Sequence, residues 1–330
     1  MTILITGASG FIGTNLVELL IAKKYDNIVN LDKAPPLKEA HRPYWVEGNI
    51  MDEEKMKALF AEKQPDVVIH LAARTDTLSD DINDYAENTV GTQNVLNAIK
   101  ATPSVKHAII TSTQYVYKSL AAPFQDKDDS YVPHTIYGQS KVLTEQYTRN
   151  ANLNCAWTIV RPANIWGPWH MRYPLELWRI IDKGMYIHPG KKEVIRTYGY
   201  VKNIAHQIVA IMEADLKSVD KKTYYLGDMP IDSYVWLNEL SQQLTGKKVK
   251  RFPMLFFQSL SLTGDILNKF KLRFPLYSER FHNMIEDYYA PTNITIDQFG
   301  LSNPDLKANV KESIDWVKGE GKQFFNYWNK

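Results

Sequence analysis

The chain has 330 residues, with 39 Lys and Arg against 37 Asp and Glu, a formal net charge of +2 and one cysteine. This near-neutral balance, without a long basic run, excludes an electrostatic track for nucleic acid. The single thiol, Cys155, excludes an internal disulfide and any multi-thiolate metal site, so we expect no bound metal.

The length is sufficient for one large domain or for two of ordinary size. The first predicted strand begins at Thr2, which leaves no space for a cleavable leader. No apolar segment approaches the about 20 residues that span a bilayer. We therefore expect a cytoplasmic protein that binds a small molecule and does not insert into a membrane.

The first element is an apolar strand that runs into a glycine-rich turn. Residues 1–13 read MTILITGASGFIG, which places Gly7, Gly10 and Gly13 at GxxGxxG spacing before a helix predicted over 11–24. Gly7 permits a sharp turn, Gly10 lets the main chain approach a pyrophosphate, and Gly13 lets the helix pack close to the sheet. The helix amides and the positive dipole end then face the anion.

A second strand over 28–31 ends at Asp32, about 20 residues beyond the glycines. A carboxylate at the tip of this strand can accept both ribose hydroxyls of an adenosine, which predicts a dinucleotide site. The same carboxylate repels the 2′-phosphate of NADP, so NAD is favoured over NADP. The cation Lys33 beside it works against this preference.

Short apolar strands and helical patterns then alternate along the chain. Strands are predicted over 44–46, 67–71, 107–112 and 156–160, and helices over 53–62, 84–100 and 136–152. Such alternation predicts an α/β fold of the Rossmann type, a doubly wound parallel sheet with helices on both faces. We assign residues 1–165 to an NAD-binding domain of this fold.

The pattern changes after this domain, and residues 166–330 are predicted to form a smaller C-terminal α/β lid that binds the substrate. Its elements are predicted at 201–215, 223–226 and 233–244, and in an amphipathic segment over 303–328. Some of these segments are expected to return to the Rossmann domain. The apolar stretch over 252–262 is predicted to be a buried helix, with contact to a membrane or a partner as the alternative.

The helix predicted over 136–152 carries the residues with the clearest chemistry. Tyr137 and Lys141 stand four apart in YGQSK, so both side chains project from one face of the helix. We interpret Tyr137 as the proton carrier of a hydride-transfer reaction, with Thr113, from the preceding strand end, hydrogen-bonded to the reacting oxygen. Lys141 is predicted to hold the nicotinamide ribose and, together with the positive nicotinamide ring, to lower the pKa of Tyr137.

Six motifs in a fixed order extend this pattern over about residues 2–215. They are TGASGFIG (6–13), HLAA (70–73), NTVGT (88–92), TSTQYVY (111–117), YGQSK (137–141) and RPANIWGP (161–168). As an ordered set they resemble the extended short-chain dehydrogenase/reductase superfamily, and within it the NAD-dependent sugar-nucleotide epimerase/dehydratase family.

The resemblance implies further site residues and an assembly. The dinucleotide would be lined by Phe11, Ile12, Ile50, Leu71, Ala72, Ala73 and Pro162. The substrate would be a nucleotide-linked sugar whose diphosphate is bound by Asn164 and Arg196, an amide donor and a guanidinium fork. The resemblance also implies a homodimer, in which the helices over 84–100 and 137–152 of two chains form a four-helix bundle.

Departures from the family pattern narrow the chemistry. The 4,6-dehydratases of the family carry an Asp-Glu pair directly after the catalytic Thr, where this chain has Gln114 and Tyr115. Members that epimerise carbons next to a ketone use a Cys after the Ser/Thr motif and a His after Gly-Pro. Here Cys155 lies elsewhere and Trp169 follows Gly-Pro. The remaining expectation is a 4-epimerase that works through a transient 4-ketone.

Two alternatives stay open. One is an NAD(P)H-dependent reductase of a 4-keto sugar nucleotide or of another ketone, which would consume its cofactor stoichiometrically. The other is a non-catalytic dinucleotide sensor. The joint presence of Thr113, Tyr137 and Lys141 argues against a sensor, because a sensor needs no proton carrier.

Overall fold

The computed structural model describes residues 1–117, 130–270, 272, 274 and 276–329. The strands are β1 (Ile3–Thr6), β2 (Ile28–Asp32), β3 (Trp45–Glu47), β4 (Val67–His70), β5 (His107–Thr111), β6 (Ala156–Pro162), β7 (Asn164–Trp166), β8 (Ile187–Pro189), β9 (Ile195–Arg196), β10 (Tyr198–Tyr200), β11 (Lys222–Leu226), β12 (Ile231–Asp232) and β13 (Lys250–Phe252). The α-helices are α1 (Phe11–Ala22), α2 (Glu53–Lys63), α3 (Thr92–Lys100), α4 (Ile136–Asn150), α5 (Arg179–Asp182), α6 (Val201–Glu213), α7 (Leu216–Val219), α8 (Ser233–Thr245), α9 (Met254–Lys269), α10 (Ser278–Ile285), α11 (Thr292–Phe299) and α12 (Leu306–Lys318).

The central sheet has the strand order β11-β6-β5-β4-β1-β2-β3, and all its neighbours run parallel. Alternate residues of β1 point into two cores. Ile3 packs on one face with Leu16 of α1 and Ile208 of α6, whereas Leu4 packs on the other face with Phe60 of α2. Helices therefore cover both faces, and the predicted doubly wound sheet of the Rossmann type is confirmed.

Most predicted elements of the N-terminal part are present with ends shifted by one or two residues. The exception is the helix predicted over 84–100, which is interrupted. A 3-10 turn (Ile82–Tyr85) and a π-turn (Glu87–Gly91) precede α3. The π-turn adds a residue to one helical turn, and its Asn88 is fully buried. Interruptions of this kind are frequent at functional sites.

The C-terminal part does not form a separate half, because two of its segments join the N-terminal fold. β11 pairs with β6 at one end of the central sheet, and α6 packs against α1. Three two-stranded pairs, β7 with β10, β8 with β13 and β9 with β12, lie near an aromatic core that contains Trp166, Trp178 and Trp236. β11 and α6 thus pack with elements that precede residue 165, while the division of the chain into two domains stays a prediction.

The apolar stretch over 252–262 enters a helix, but that helix is not buried. α9 leaves Leu255 at 75 % and Leu262 at 62 % exposure, and it buries Phe257, Ser261 and Gly264 on its inner face. The prediction of a buried helix is therefore wrong. The helix packs inward mainly through small residues, which leaves its large leucines exposed. Among the described helices, none is long and apolar enough to cross a membrane.

A buried ion pair ties α4 to the central sheet. Arg161 on β6 donates from Nε at 2.8 Å and from Nη2 at 2.7 Å to the two carboxylate oxygens of Glu145 on α4. Both side chains are at most 1 % exposed. We expect Glu145→Gln to lower the free energy of unfolding by about 3–5 kcal/mol, because it leaves a buried guanidinium without its counter-charge. Chemical denaturation measures this loss.

Glu54→Gln is the matched control for this substitution. Glu54 pairs with Lys57 at 3.1 Å, with 86 % of its side chain exposed. Exposed pairs of this kind contribute about 0–1 kcal/mol. Equal losses in the two variants would show that the buried pair is worth no more than a surface pair.

Candidate active site

A cavity of about 850 Å³ lies along the carboxyl edge of the central sheet. From β2 to β5 this edge spans three strand spacings, roughly 14 Å, which suits an extended ligand. Ligands of open α/β sheets bind in the crevice at the carboxyl ends of the strands. The lining includes these predicted residues: Gly7, Gly10, Phe11, Ile12, Gly13, Asp32, Ile50, Leu71, Ala72, Ala73, Thr113, Tyr137, Lys141, Pro162 and Asn164. The individual roles of these residues stay predictions.

Backbone geometry explains the glycines of the turn after β1. Gly7 has a φ of +75°, and a Cβ on it would lie 2.6 Å from the backbone nitrogen of Ala72. A Cβ on Gly13 would overlap the backbone of Ala8. Gly13 therefore closes the helix against the turn itself, and not against the sheet as expected. The turn presents bare backbone to the cavity.

The first turn of α1 has hydrogen-bond donors available. Its N-cap is Gly10, no side chain caps this helix, and its first turn holds no acidic residue. The amides and the positive end of the helix dipole are therefore available to an anion. A pyrophosphate fits this combination of bare backbone and uncapped amides, so the residues present suit a dinucleotide cofactor.

Asp32 ends β2 at one end of the cavity. Its Oδ2 accepts from the amide of Ser9 at 3.1 Å, and its Oδ1 accepts from the amide of Ala34 at 3.0 Å. These bonds fix the carboxylate while it remains part of the cavity lining. Lys33 donates to Glu87 at 3.2 Å, so the charge of this lysine is offset by a carboxylate other than Asp32.

We expect Asp32→Asn to reduce the preference for NAD over NADP by about tenfold or more. The amide removes the charge that repels a 2′-phosphate and weakens the acceptor for the ribose hydroxyls. Titration of the purified protein with NADH and NADPH, followed by nicotinamide fluorescence, gives both dissociation constants. Glu87→Gln is the control, since it removes the other lining carboxylate at this end. An unchanged ratio in Asp32→Asn would exclude this residue from cofactor selection.

α4 places Tyr137 and Lys141 at the other end of the cavity. Thr135 caps the helix, with its Oγ1 accepting from the amide of Gly138 at 2.9 Å. The four-residue spacing then puts both side chains into the lining, beside Thr113 from the end of β5. Tyr137 is 8 % exposed and Lys141 is 2 % exposed. The three predicted catalytic residues are thus brought together.

Burial controls the charge state of these groups. It raises the pKa of Tyr137 well above the ordinary value, and the nearby Thr113 opposes this only in part. Burial also lowers the pKa of Lys141 to about 8. In the protein alone desolvation dominates, and the lowering of the Tyr137 pKa by Lys141 together with the nicotinamide ring stays a prediction. In the described part of the chain the Lys141 ammonium has no hydrogen-bond partner, so its donors are available to a ligand.

Asn88 of the π-turn connects the chain after β4 to α4. Its Oδ1 accepts from the backbone amide of Arg74 at 2.8 Å, and its Nδ2 donates to the backbone carbonyl of the same residue at 2.8 Å. It also donates to Oγ of Ser140 at 2.9 Å, and that Oγ donates to the carbonyl of Tyr137 at 2.7 Å. The sequence motif NTVGT contained this residue, but its positioning role appears only in the folded chain.

Several lining residues were not predicted as site residues, among them Tyr115, His170 and Arg172. The His170 ring stacks on Tyr173 with centroids 4.3 Å apart and meets the ring of Phe11 edge-on at 4.7 Å. Burial lowers the pKa of His170 to about 4, so this residue is neutral at pH 7. The available signal was the sequence GPWH, in which the histidine stands one residue later than in the family pattern.

Of the two predicted diphosphate contacts, Asn164 lines the cavity and Arg196 does not. The Arg196 guanidinium donates to two backbone carbonyls of the segment 283–286. Burial raises the pKa of Tyr115, and the charges of Arg196 and Arg172 both oppose that rise. Both guanidiniums therefore act on the Tyr115 end of the cavity, and a contact of Arg196 with a diphosphate stays a prediction.

Carboxylates are confined to one end of the cavity. Among its described lining residues only Asp32 and Glu87 are acidic, and both lie at the β2 end, where Lys33 joins them. Cys155 lies just before β6, at the opposite edge of the sheet, and burial raises the pKa of its thiol to about 11. The Tyr137 end therefore holds a phenol, but neither a carboxylate nor a thiol from the described lining.

Comparison with known proteins identifies the family. Residues 3–227 match the NAD dependent epimerase/dehydratase family. An N-acetyl-alpha-D-glucosaminyl-diphospho-ditrans,octacis-undecaprenol 4-epimerase of Escherichia coli O157:H7 is 33 % identical over 284 residues, covering 81 % of this chain and 80 % of that protein. UDP-glucuronate 4-epimerase 5 of Arabidopsis thaliana is 26 % identical over 360 residues, covering 97 % of this chain and 76 % of that protein.

Among solved structures, a UDP-glucuronic acid 4-epimerase from Bacillus cereus, in complex with UDP-glucuronic acid and NAD, has a TM-score of 0.72 to this chain at 20 % identity. The match covers 98 % of this chain and all of the other, and at this identity it shows a shared fold. The family match spans more than half of the chain, and the bacterial relative spans most of it. The chain therefore belongs to the NAD dependent epimerase/dehydratase family and is an enzyme of the extended short-chain dehydrogenase/reductase type.

Proposed function

We propose that this protein is an NAD-dependent 4-epimerase of a nucleotide-linked sugar. The observation that supports it most is the composition of the cavity. A glycine turn and Asp32 lie at one end and Thr113, Tyr137 and Lys141 at the other, without a carboxylate there among the described lining residues. Such a set suffices for hydride transfer with one proton carrier and lacks the acid and base that dehydration needs. The two relatives described above are named 4-epimerases, whereas other relatives of the chain are named dTDP-glucose 4,6-dehydratases.

NAD, when bound, supplies a hydride acceptor that later returns the hydride. Tyr137 takes the proton of the sugar 4-hydroxyl as C4 is oxidised to a ketone. It gives a proton back to the 4-oxygen when C4 is reduced from its opposite face. Thr113, which lines the cavity with Tyr137, hydrogen-bonds the reacting 4-oxygen. The ammonium of Lys141 holds the nicotinamide ribose and places a positive charge near the phenolate.

The substrate diphosphate is expected near Asn164, Arg172 and Arg196. Guanidinium groups suit phosphate oxygens because they donate two parallel hydrogen bonds. Asn164 and Arg172 line the cavity, and the charges of both arginines reach Tyr115, whose ring centroid lies 6.0 Å from that of Tyr137. This arrangement supports binding of the diphosphate beside the Tyr137 end.

The reaction is tested in deuterium oxide. Purified protein with NAD is given UDP-glucose, UDP-N-acetylglucosamine and UDP-glucuronate, and also undecaprenyl-diphospho-N-acetylglucosamine, because one relative is named for a substrate of that kind. We expect a mixture of two 4-epimers of at least one substrate, resolved by proton NMR, with no deuterium bound to carbon. The hydride removed from C4 is the one that returns, so solvent contributes nothing to the carbon skeleton.

Other outcomes of the same experiment would contradict the proposal. Deuterium at C3 or C5 would indicate epimerisation next to a ketone or dehydration. Stoichiometric consumption of NADH with a 4-keto sugar nucleotide would indicate a reductase. Tight NADH binding without turnover of any of the four substrates would favour the dinucleotide sensor.

We further propose that the protein is a homodimer, as the family resemblance implies, and that it is cytoplasmic. Val90 of the π-turn is 45 % exposed, and a second copy of the helices over 84–100 and 137–152 would cover it. Light scattering of the purified protein measures the mass. Twice the mass of the chain is expected, and a mass equal to that of one chain would contradict the homodimer.

A further inference from the structure

α9 carries large apolar side chains on its outer side. We define the α9 face as the outward residues Phe252, Leu255, Phe256, Leu262, Ile266 and Phe270. Leu255, Leu262 and Ile266 are spaced by seven and four residues, which places them on one side of a helix. They are 75 %, 62 % and 58 % exposed. A contiguous apolar surface of this kind marks an interaction site more often than a scattered apolar residue does.

The inner side of α9 explains why these residues face outward. Phe257 stacks on Phe281 of α10, with parallel rings 6.1 Å apart. A Cβ on Gly264 would overlap the carbonyl oxygen of Leu276. The helix therefore lies too close to its support for a large side chain at that position. Rotating α9 to bury its leucines would lose both contacts.

Positive charge flanks the α9 face. Its exposed lysines are Lys191, Lys192, Lys247, Lys248 and Lys250 near the start of the helix and Lys269 at its end, and the exposed carboxylate Glu193 offsets one of the first two. The loop that holds the first two joins β13 by a hydrogen bond from the amide of Gly190 to the carbonyl of Phe252 at 2.7 Å. Asp265 is the one carboxylate of α9, and it accepts from the amide and the hydroxyl of Ser278. An apolar face framed by lysines complements an anionic lipid surface.

The length of α9 also fits a bilayer surface. The helix has 16 residues, fewer than the about 20 that cross the hydrocarbon core. A helix with one apolar side and flanking lysines lies in the plane of the interface, with the apolar side in the acyl boundary and the ammonium groups at the lipid phosphates. A bilayer surface can cover the α9 face without a groove of matching shape, which a protein partner would need.

The inner side of α9 is connected by contacts to the Tyr137 end of the cavity. α9 packs against α10, and the carbonyls of the segment 283–286 accept from Arg196. Just beyond this segment, the Tyr288 hydroxyl lies 3.3 Å from the carbonyl oxygens of both Gln114 and Tyr117, which flank Tyr115. The contacts of α9 thus lead to the Tyr137 end of the cavity and not to the Asp32 end.

We infer that the α9 face docks this protein reversibly on an anionic bilayer surface, without crossing it. Docking is independent of the proposed catalytic function, because it needs neither cofactor nor substrate.

Vesicle flotation tests the inference. The full-length protein is mixed with vesicles of phosphatidylglycerol and phosphatidylethanolamine, or of phosphatidylcholine alone. We expect binding to the anionic vesicles that weakens in high salt and is at least tenfold weaker to phosphatidylcholine. The double substitution Leu255→Gln with Leu262→Gln is expected to weaken binding to the anionic vesicles at least tenfold.

The matched control is the double substitution Leu78→Gln with Ile294→Gln. Leu78 and Ile294 lie outside the α9 face and are 87 % and 59 % exposed. This variant should therefore bind the anionic vesicles as strongly as the wild type does. Both double variants should keep the wild-type thermal midpoint and NADH affinity, which excludes misfolding as the cause. Absence of wild-type binding, or equal binding of the α9 variant and the wild type, would overturn the inference. A fall in mass of the α9 variant without vesicles would instead assign the face to contact between copies of the chain.

Discussion

Replacement of Tyr137 by Phe is expected to lower the turnover number of the proposed epimerase by about 10²–10⁴-fold. The substitution removes the Tyr137 hydroxyl, which lies in the cavity lining with Thr113 and Lys141, and keeps the ring. Ring contacts with Tyr85 at 6.3 Å and Tyr115 at 6.0 Å should survive. NADH affinity and KM should therefore change little. Initial rates by NMR and a fluorescence titration with NADH measure the two effects separately.

Tyr85→Phe is the control for loss of a buried hydroxyl. Tyr85 is fully buried, and its hydroxyl donates to the carbonyl of Asp76 at 2.9 Å outside the described cavity lining. We expect a loss of about 1 kcal/mol in the free energy of unfolding, with turnover close to that of the wild type. If Tyr137→Phe turned over its substrate at the wild-type rate, Tyr137 would not be the proton carrier. If both variants lost activity equally, the cause would be packing and not proton transfer.

The arrangement of residues around the cavity could be predicted from the sequence, because the patterns that indicate it each lie within a short stretch of the chain. The glycine spacing, the alternation of strands and helices, and the four-residue spacing of Tyr137 and Lys141 each depend on residues close together in the chain. A parallel sheet then brings the ends of its strands to one edge, whatever the details of packing. Asp32, Thr113 and Pro162 therefore meet in one cavity, although they lie far apart in the sequence.

The remaining features depend on contacts between distant segments. The raised pKa of Tyr137 follows from its burial in the folded chain, which a nearby lysine in the sequence does not reveal. Glu145 and Arg161 become partners only when α4 packs on β6. The apolar composition of α9 favoured a buried helix, and the close approach of Leu276 to Gly264, which leaves the leucines outward, could not be predicted from it. Tertiary contacts determine each of these outcomes.

Gly7→Ala is expected to lower the free energy of unfolding by about 2–5 kcal/mol and to weaken NADH binding by about a hundredfold or more. The φ of +75° costs an alanine about 1–2 kcal/mol. The added Cβ would also lie 2.6 Å from the nitrogen of Ala72, which is backbone and cannot rotate away. The turn must then move out of the position in which its bare backbone and the amides of α1 face the cavity. Chemical denaturation and NADH titration measure the two losses.

Gly246→Ala separates the cost of the left-handed backbone conformation from the cost of the close contact with Ala72. Gly246 has a φ of +71°, nearly that of Gly7, and an added Cβ there has nothing within 4 Å. It should therefore cost only the strain of the left-handed conformation, about 1–2 kcal/mol, and leave NADH affinity unchanged. Equal unfolding losses in the two variants would show that the approach of Ala72 carries no cost. Wild-type NADH affinity in Gly7→Ala would show that the cofactor is held somewhere other than the glycine turn.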